Sequence, residues 1–175
     1  MATGSLIKIY EEIVTSAVAS VTLTGIDSTY DVYQVVGSNI RPTTARQLEA
    51  RVTKSGVADS TANYDWAYKG MYTGGTFVNE SGNNTDSFFI YNSYEETTAS
   101  GRGNGLVMYL FNFNNASEYS FMTLEQTYLH SSGALGGNQG GCVHTVASAS
   151  DGVQFLWDAG VNFEEATFTL YGLKK

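Results

Sequence analysis

The sequence has a single cysteine and a single proline among its 175 residues. Cys142 alone excludes an intrachain disulfide, so the fold must stand on packing and hydrogen bonds. One thiol and two histidines, His130 and His144, fall short of the usual four zinc ligands, and no metal site is expected. Cys142-Val143-His144 would place thiol and imidazole on one side of a strand, and a small half-buried side chain is the simpler reading of that cysteine. Charge is also scarce. Charged residues make up 15%, with 9 Lys and Arg against 17 Asp and Glu, for a net charge of −8. Clustered cations are what phosphate backbones and anionic bilayers require, so neither nucleic acid nor a membrane is expected as a partner. No stretch approaches the roughly 18 apolar residues of a membrane-spanning helix. Lys8, Glu11 and Glu12 interrupt the first apolar run, so no secretory signal is expected, and the chain reads as soluble and made in a cytoplasm.

What the chain does have is glycine (19 residues), aromatics (13%) and short alternating segments. The length suits one domain with a full core. In residues 16–24, Ala17, Ala19, Val21 and Leu23 alternate with Val18, Ser20, Thr22 and Thr24, the pattern of a half-buried antiparallel strand. Residues 30–36 are β-branched and aromatic, and residues 37–39 end that run. Pro42 falls in the following connection. In residues 47–54, Leu48, Ala50 and Val52 oppose Glu49, Arg51 and Thr53, and the period of two predicts a strand although the residues are helix formers. Tyr64, Trp66 and Tyr68 alternate in residues 64–72. Residues 73–86 read as a long polar stretch, residues 87–91 as a short strand and residues 95–105 as a loop. Residues 106–113 are continuously apolar and predict a central strand buried on both faces. Residues 119–130 alternate, residues 131–141 with their two Gly-Gly pairs read as a flexible loop, and residues 143–147, 153–158 and 167–173 read as further strands.

That gives roughly eight to ten strands, the signature of an all-β antiparallel sandwich. Residues 16–175 are expected to form this single domain, with residues 1–15 as an arm or first strand. Leu6, Ile9, Tyr10 and Ile13 could also line one face of a short helix.

No catalytic constellation emerges. The pairs Glu11-Glu12, Glu95-Glu96 and Glu164-Glu165 cannot flank one bond if neighbours on a strand point to opposite faces. A Gly-x-Ser-x-Gly elbow is absent. The run Gly101-Arg102-Gly103-Asn104-Gly105 lacks the strand–loop–helix setting of a phosphate cradle. Asn79-Glu80-Ser81, Asn83-Asn84-Thr85 and Asn115-Ala116-Ser117 fit the glycosylation pattern, which carries little weight in so Asn/Ser/Thr-rich a chain. The sequence therefore predicts no enzyme and no cofactor. The aromatic surplus carries more information, because Tyr and Trp each offer a flat ring with a polar handle. Trp66, Tyr68, Tyr72, Tyr91 and Tyr94 are the candidates for contact with a glycan or partner. Core packing is the bland alternative for each.

Two stretches resemble a family of small bacteriophage virion proteins, found especially in phages of cyanobacteria and other aquatic bacteria. The first runs through Thr29-Tyr30-Asp31-Val32-Tyr33, Ile40-Arg41-Pro42-Thr43-Thr44, Leu48-Glu49-Ala50-Arg51-Val52 and Asn63-Tyr64-Asp65-Trp66-Ala67. The second is the closing Ala166-Thr167-Phe168-Thr169-Leu170-Tyr171-Gly172-Leu173. The resemblance implies a jelly-roll-like sandwich and residence in a virion assembled in the host cytoplasm. It implies no catalytic residue. The leading expectation is a capsid decoration, or cement, protein that binds the major capsid protein or another virion protein, as a homotrimer. Leu6, Ile7, Ile9, Tyr10 and Ile13 would then form the docking or subunit contact. The alternative is a tail-fibre or receptor-binding module that grips host surface polysaccharide through its aromatic loops.

Overall fold

The computed structural model describes residues 5–90, 103–130 and 133–174. They form an all-β, antiparallel, jelly-roll-like sandwich. The strands are β1 (Leu6–Val14), β2 (Ser20–Thr24), β3 (Val32–Pro42), β4 (Leu48–Lys54), β5 (Val57–Ala58), β6 (Tyr64–Tyr72), β7 (Phe77–Thr85), β8 (Phe88–Phe89), β9 (Asn104–Phe111), β10 (Ser120–Leu129), β11 (Leu135–His144), β12 (Gly152–Trp157) and β13 (Phe163–Leu173). The large sheet runs β1-β13-β3-β9-β10-β11-β6-β7, and the small one runs β2-β12-β4-β5 with β8 also paired to β4. A single 3-10 turn, Asp158–Gly160, joins β12 to β13.

Alternation places the core between the sheets. The small sheet contributes Val21, Leu23, Leu48, Ala50, Val52, Phe155 and Trp157, all buried. They meet Val35, Met108, Leu110, Phe168 and Leu170 of the large sheet. Two aromatic contacts tie the layers together. Phe155 stacks on Phe168 at 4.4 Å, and Trp157 packs against Phe163 at 5.4 Å. The stretches that carry the phage resemblance also meet. The Tyr33 hydroxyl donates to the Asp27 carbonyl at 2.7 Å and accepts from the Asp27 N–H at 2.9 Å, which fixes the preceding turn. Tyr30 lies so close over Gly172 that a Cβ there would sit 2.3 Å from its ring.

The structure corrects several sequence expectations. Residues 135–141, read as part of a loop, belong to β11, a ten-residue strand paired on both sides. Its inward glycines are dictated by close approach, since a Cβ on Gly140 would lie 2.5 Å from the Ala67 carbonyl oxygen. The polar residues 73–86 include β7, an edge strand with little to bury and hence no apolar alternation. Pro42 is the last residue of β3 rather than part of a connection. The strand passes residues 37–39 by a register shift, with Asn39 at φ 52. The segment read as buried on both faces, β9, is central but alternates, with Val107, Tyr109 and Phe111 on its outward face. Glu164 and Glu165 do not diverge either. A bulge in β13 brings both to Arg41, at 3.7 and 3.0 Å.

Candidate binding face

Pairing register fixes which side chains share the outward face of the large sheet. One row crosses all eight strands: Lys8, Tyr171, Gln34, Tyr109, Thr123, Gly141, Ala67 and Ser81. On one side of it lies a row that is almost wholly apolar. Leu6 faces Leu173, Val32 faces Phe111, Phe111 faces Phe121, and Phe121 faces Val143. Leu173 follows Gly172, which faces Tyr33, so this row runs from β1 to β11, where Val143 faces Asp65 of β6. Phe121 is 47% exposed and Leu6 is 49% exposed. On the other side the row is mixed: Val36, Val107, Glu125, Gln139 and Lys69.

The face is shaped by small residues. Gly141 and Ala67 form the floor of a trough between the apolar row and the Glu125–Gln139 row. A groove of about 540 Å³ opens further along, over Gly105 and Gly137, walled by Val107, Met71 and Gln139. Gln139 donates to Glu125 at 3.1 Å, so two of the polar side chains hold each other in place. The Lys69 ammonium sits over the Phe77 ring at 5.2 Å. The surface is broad and shallow, and it offers apolar contact with polar punctuation.

The expected site residues divide. In the N-terminal set, all on β1, Leu6, Ile7, Tyr10 and Ile13 are exposed, while Ile9 turns inward against the core. Trp66 and Tyr68 do not stand out as platforms. They are 8% and 7% exposed, stack on each other at 5.7 Å, and point into the sandwich. The physical reason is β6's alternation, which sends even-numbered side chains to the core and Asp65, Ala67 and Lys69 outward. The Trp66 indole N–H donates internally to Thr85 Oγ1 at 3.1 Å. Tyr72 is half-buried beside Tyr128 and His130. Tyr91 and Tyr94 lie outside the described residues. The residues missed from sequence are Tyr109, Phe111, Phe121 and Tyr171. On β9 both alternating sets are apolar, which hid that Tyr109 and Phe111 face outward; on β10 and β13, Phe121 and Tyr171 are single rings in mostly polar outward sets.

A second cluster is buried under the loop after β5. Asp59 accepts from Lys54 at 3.0 Å and from the Thr61 N–H at 3.0 Å. Burial works to raise its carboxyl, but the Thr61 and Lys54 hydrogen bonds outweigh this and hold it well below the ordinary carboxylate range. His144, fully buried, has Nε2 3.3 Å from Asp59 Oδ2, without a well-aligned hydrogen bond. Burial lowers its pKa more than Asp59 raises it, so the ring is neutral near pH 7. Cys142 shares that inward face, and burial pushes its thiol far up. Cys142 and His144 thus do share a side, as their spacing requires, but they face the core. Among the described residues, no group of three or more His, Cys, Asp and Glu could hold a metal.

Neither a protein-family model nor a curated protein matches this sequence. Among solved structures, a fructofuranosidase from Schwanniomyces occidentalis superposes with a TM-score of 0.17 and 8% identity. The superposition covers 93% of this chain and 34% of that one, so the chain spans about a third of the enzyme's length. So loose a likeness carries no argument about activity.

Proposed function

We propose that this chain is a structural protein of a bacteriophage particle, a decoration protein that lies on the assembled head and stabilises it. Its partner is the major capsid protein or another shell protein. The observation that carries this reading is the apolar row across the outer face, from Leu6 through Phe111 and Phe121 to Val143. It is wide and shallow, suited to another protein's surface and not to a small molecule. Phe121 is its most prominent ring, and the acidic, hydroxyl-rich remainder suits a protein that must stay dissolved until it docks. The likeness of the Tyr30 and Tyr171 stretches to phage virion proteins supports the same role.

Purified protein is expected to co-sediment with empty heads and to raise their resistance to heat. Phe121→Glu places a charge in the row and is expected to weaken binding at least tenfold while the protein still folds. Failure of the unaltered protein to bind heads sinks the reading.

One observation favours a second reading, recognition of host polysaccharide. Tyr171, Tyr109 and Thr123 line up in the row that runs into the Gly141–Ala67 trough, offering rings and hydroxyls side by side. Glycan-array binding that disappears in Tyr109→Ala, with labelling at the tail tip, would replace the first reading with this one.

A further inference from the structure

Strand β1 is an open edge of the large sheet, with no strand beyond it among the described residues. An edge offers unpaired N–H and C=O groups on alternate residues, and proteins usually guard such edges with charge, bulges or cover. Here the guard has a pattern. Residues Lys8 and Tyr10 pair with the consecutive residues Tyr171 and Leu170, so Ile9 is an inserted bulge residue. A bulge shifts which residues point outward. Before it, Leu6 and Lys8 lie on the outer face beside Leu173 and Tyr171; after it, Glu11 and Ile13 do so beside Thr169 and Thr167. The outer face of β1 therefore reads apolar, positive, negative, apolar.

That order is its own complement when reversed. We infer that β1 pairs with β1 of a second copy of this chain, antiparallel and about a two-fold axis, joining the two large sheets into one. In the register that sets Lys8 opposite Glu11 of the second copy, Leu6 meets Ile13 and Tyr10 meets Ile9. Two Lys–Glu pairs and two Leu–Ile pairs form on one face. Without the bulge this register would oppose outward to inward side chains; the inserted Ile9 in each copy restores the match. Leu6 and Ile13, 49% and 58% exposed, find cover. Lys8 and Glu11, already 2.7 Å apart within one strand, are positioned to share charge across the axis. A parallel approach would set Lys8 against Lys8 and Glu11 against Glu11, so the same charges that permit the two-fold reject that alternative. The contact is isologous and closes at two copies. It shares only Leu6 with the docking row proposed above, and head binding and self-pairing are measured separately, so either can fail alone.

The test is mass by light scattering after size exclusion, at tens of micromolar, on the unaltered chain and three charge variants. The expected mass is twice 18.9 kDa. Lys8→Glu and Glu11→Lys each place like charges across the axis, and each is expected to weaken the dimer about tenfold or more. Combining K8E with E11K restores both pairs in swapped order and is expected to restore the dimer. Circular dichroism of every variant checks that the sandwich is intact, and both sites are exposed strand positions where a charge change should not unfold it. A monomer or a trimer for the unaltered chain overturns the inference. So does a dimer indifferent to Lys8→Glu, or a double variant that fails to recover.

Discussion

At the scale of single residues, burial decides what each aromatic and each charge is for. Trp66 has the ring of a ligand platform and the position of a core residue. Trp66→Ala should therefore act on stability, costing about 3–5 kcal/mol in a urea titration. A variant that melts like the parent but loses a ligand would show the opposite. Asp59 is the other residue on which much depends. It receives Lys54 and Thr61, and its charge lies beside the buried ring of His144. Asp59→Ala leaves Lys54 unpaired and Thr61 without its acceptor, and about 1–3 kcal/mol of stability should go with it, again by chemical denaturation. Glu49 is a contrasting case. It is buried on the outer side of β4, where the Ser87 hydroxyl donates to it at 2.8 Å. Burial raises its pKa. Glu49→Gln keeps an acceptor for Ser87 and removes the buried charge, so it should raise the melting temperature at pH 7 and change it little near pH 3.

At the scale of elements, strand glycines make the sharpest forecast. Gly140 and Gly137 lie three residues apart on β11 but on opposite faces. A Cβ at Gly140 meets the Ala67 carbonyl oxygen at 2.5 Å and the Tyr68 Cα at 2.8 Å, both backbone atoms that cannot step aside. At Gly137 the nearest atom is 3.5 Å away. Gly140→Ala should lower stability by about 1–3 kcal/mol, and Gly137→Ala should be neutral or raise it by up to about 1 kcal/mol. Thermal melts of the two variants side by side would decide. The same glycines explain what could and could not be read from the chain. Strands β4, β6, β10 and β12 declare themselves through alternation against a polar outer face. Strand β11 does not, because four of its ten residues are glycine, two of them (Gly136 and Gly140) set by close approach of β10 and β6, and close approach leaves no mark on a hydropathy pattern. Strand β7 is equally silent, since an edge that buries little has no need of apolar residues. Strand β9 is legible as a strand, but its outward face is not. Its outward Val107, Tyr109 and Phe111 are as apolar as its inward Leu106, Met108 and Leu110, so the residues that make the binding face erased the period that would have exposed it.

At the scale of the whole molecule, pH gathers these local effects. His144 has a folded pKa below its ordinary value, so its contribution is complete above about pH 6.5 and is lost as pH falls. Asp59 has a folded pKa below the ordinary 3.8, so its contribution is present above that value and drains away under stronger acid. Glu49 runs the other way: its folded pKa is raised, and its contribution fades as pH climbs through that raised value. Two groups favour neutral pH and one opposes. The melting temperature should fall from pH 7 toward pH 3, with the steepest loss below pH 4, where Asp59 takes up a proton in the unfolded chain but stays ionised in the folded one. A flat profile across that range would show that the Asp59–His144 cluster contributes no net stability.

The lone thiol of Cys142 is buried toward the C-terminal end of β11, between Met122 on one neighbouring strand and Trp66 on the other. Only 6% of it is exposed, so a reagent meets little of the thiol while that packing holds. The chain thus carries its own clock for breathing of the large sheet: the half-life of its modification by a small maleimide counts how often β6, β10 and β11 part. That half-life should be long in the unaltered chain and drop sharply in Gly140→Ala.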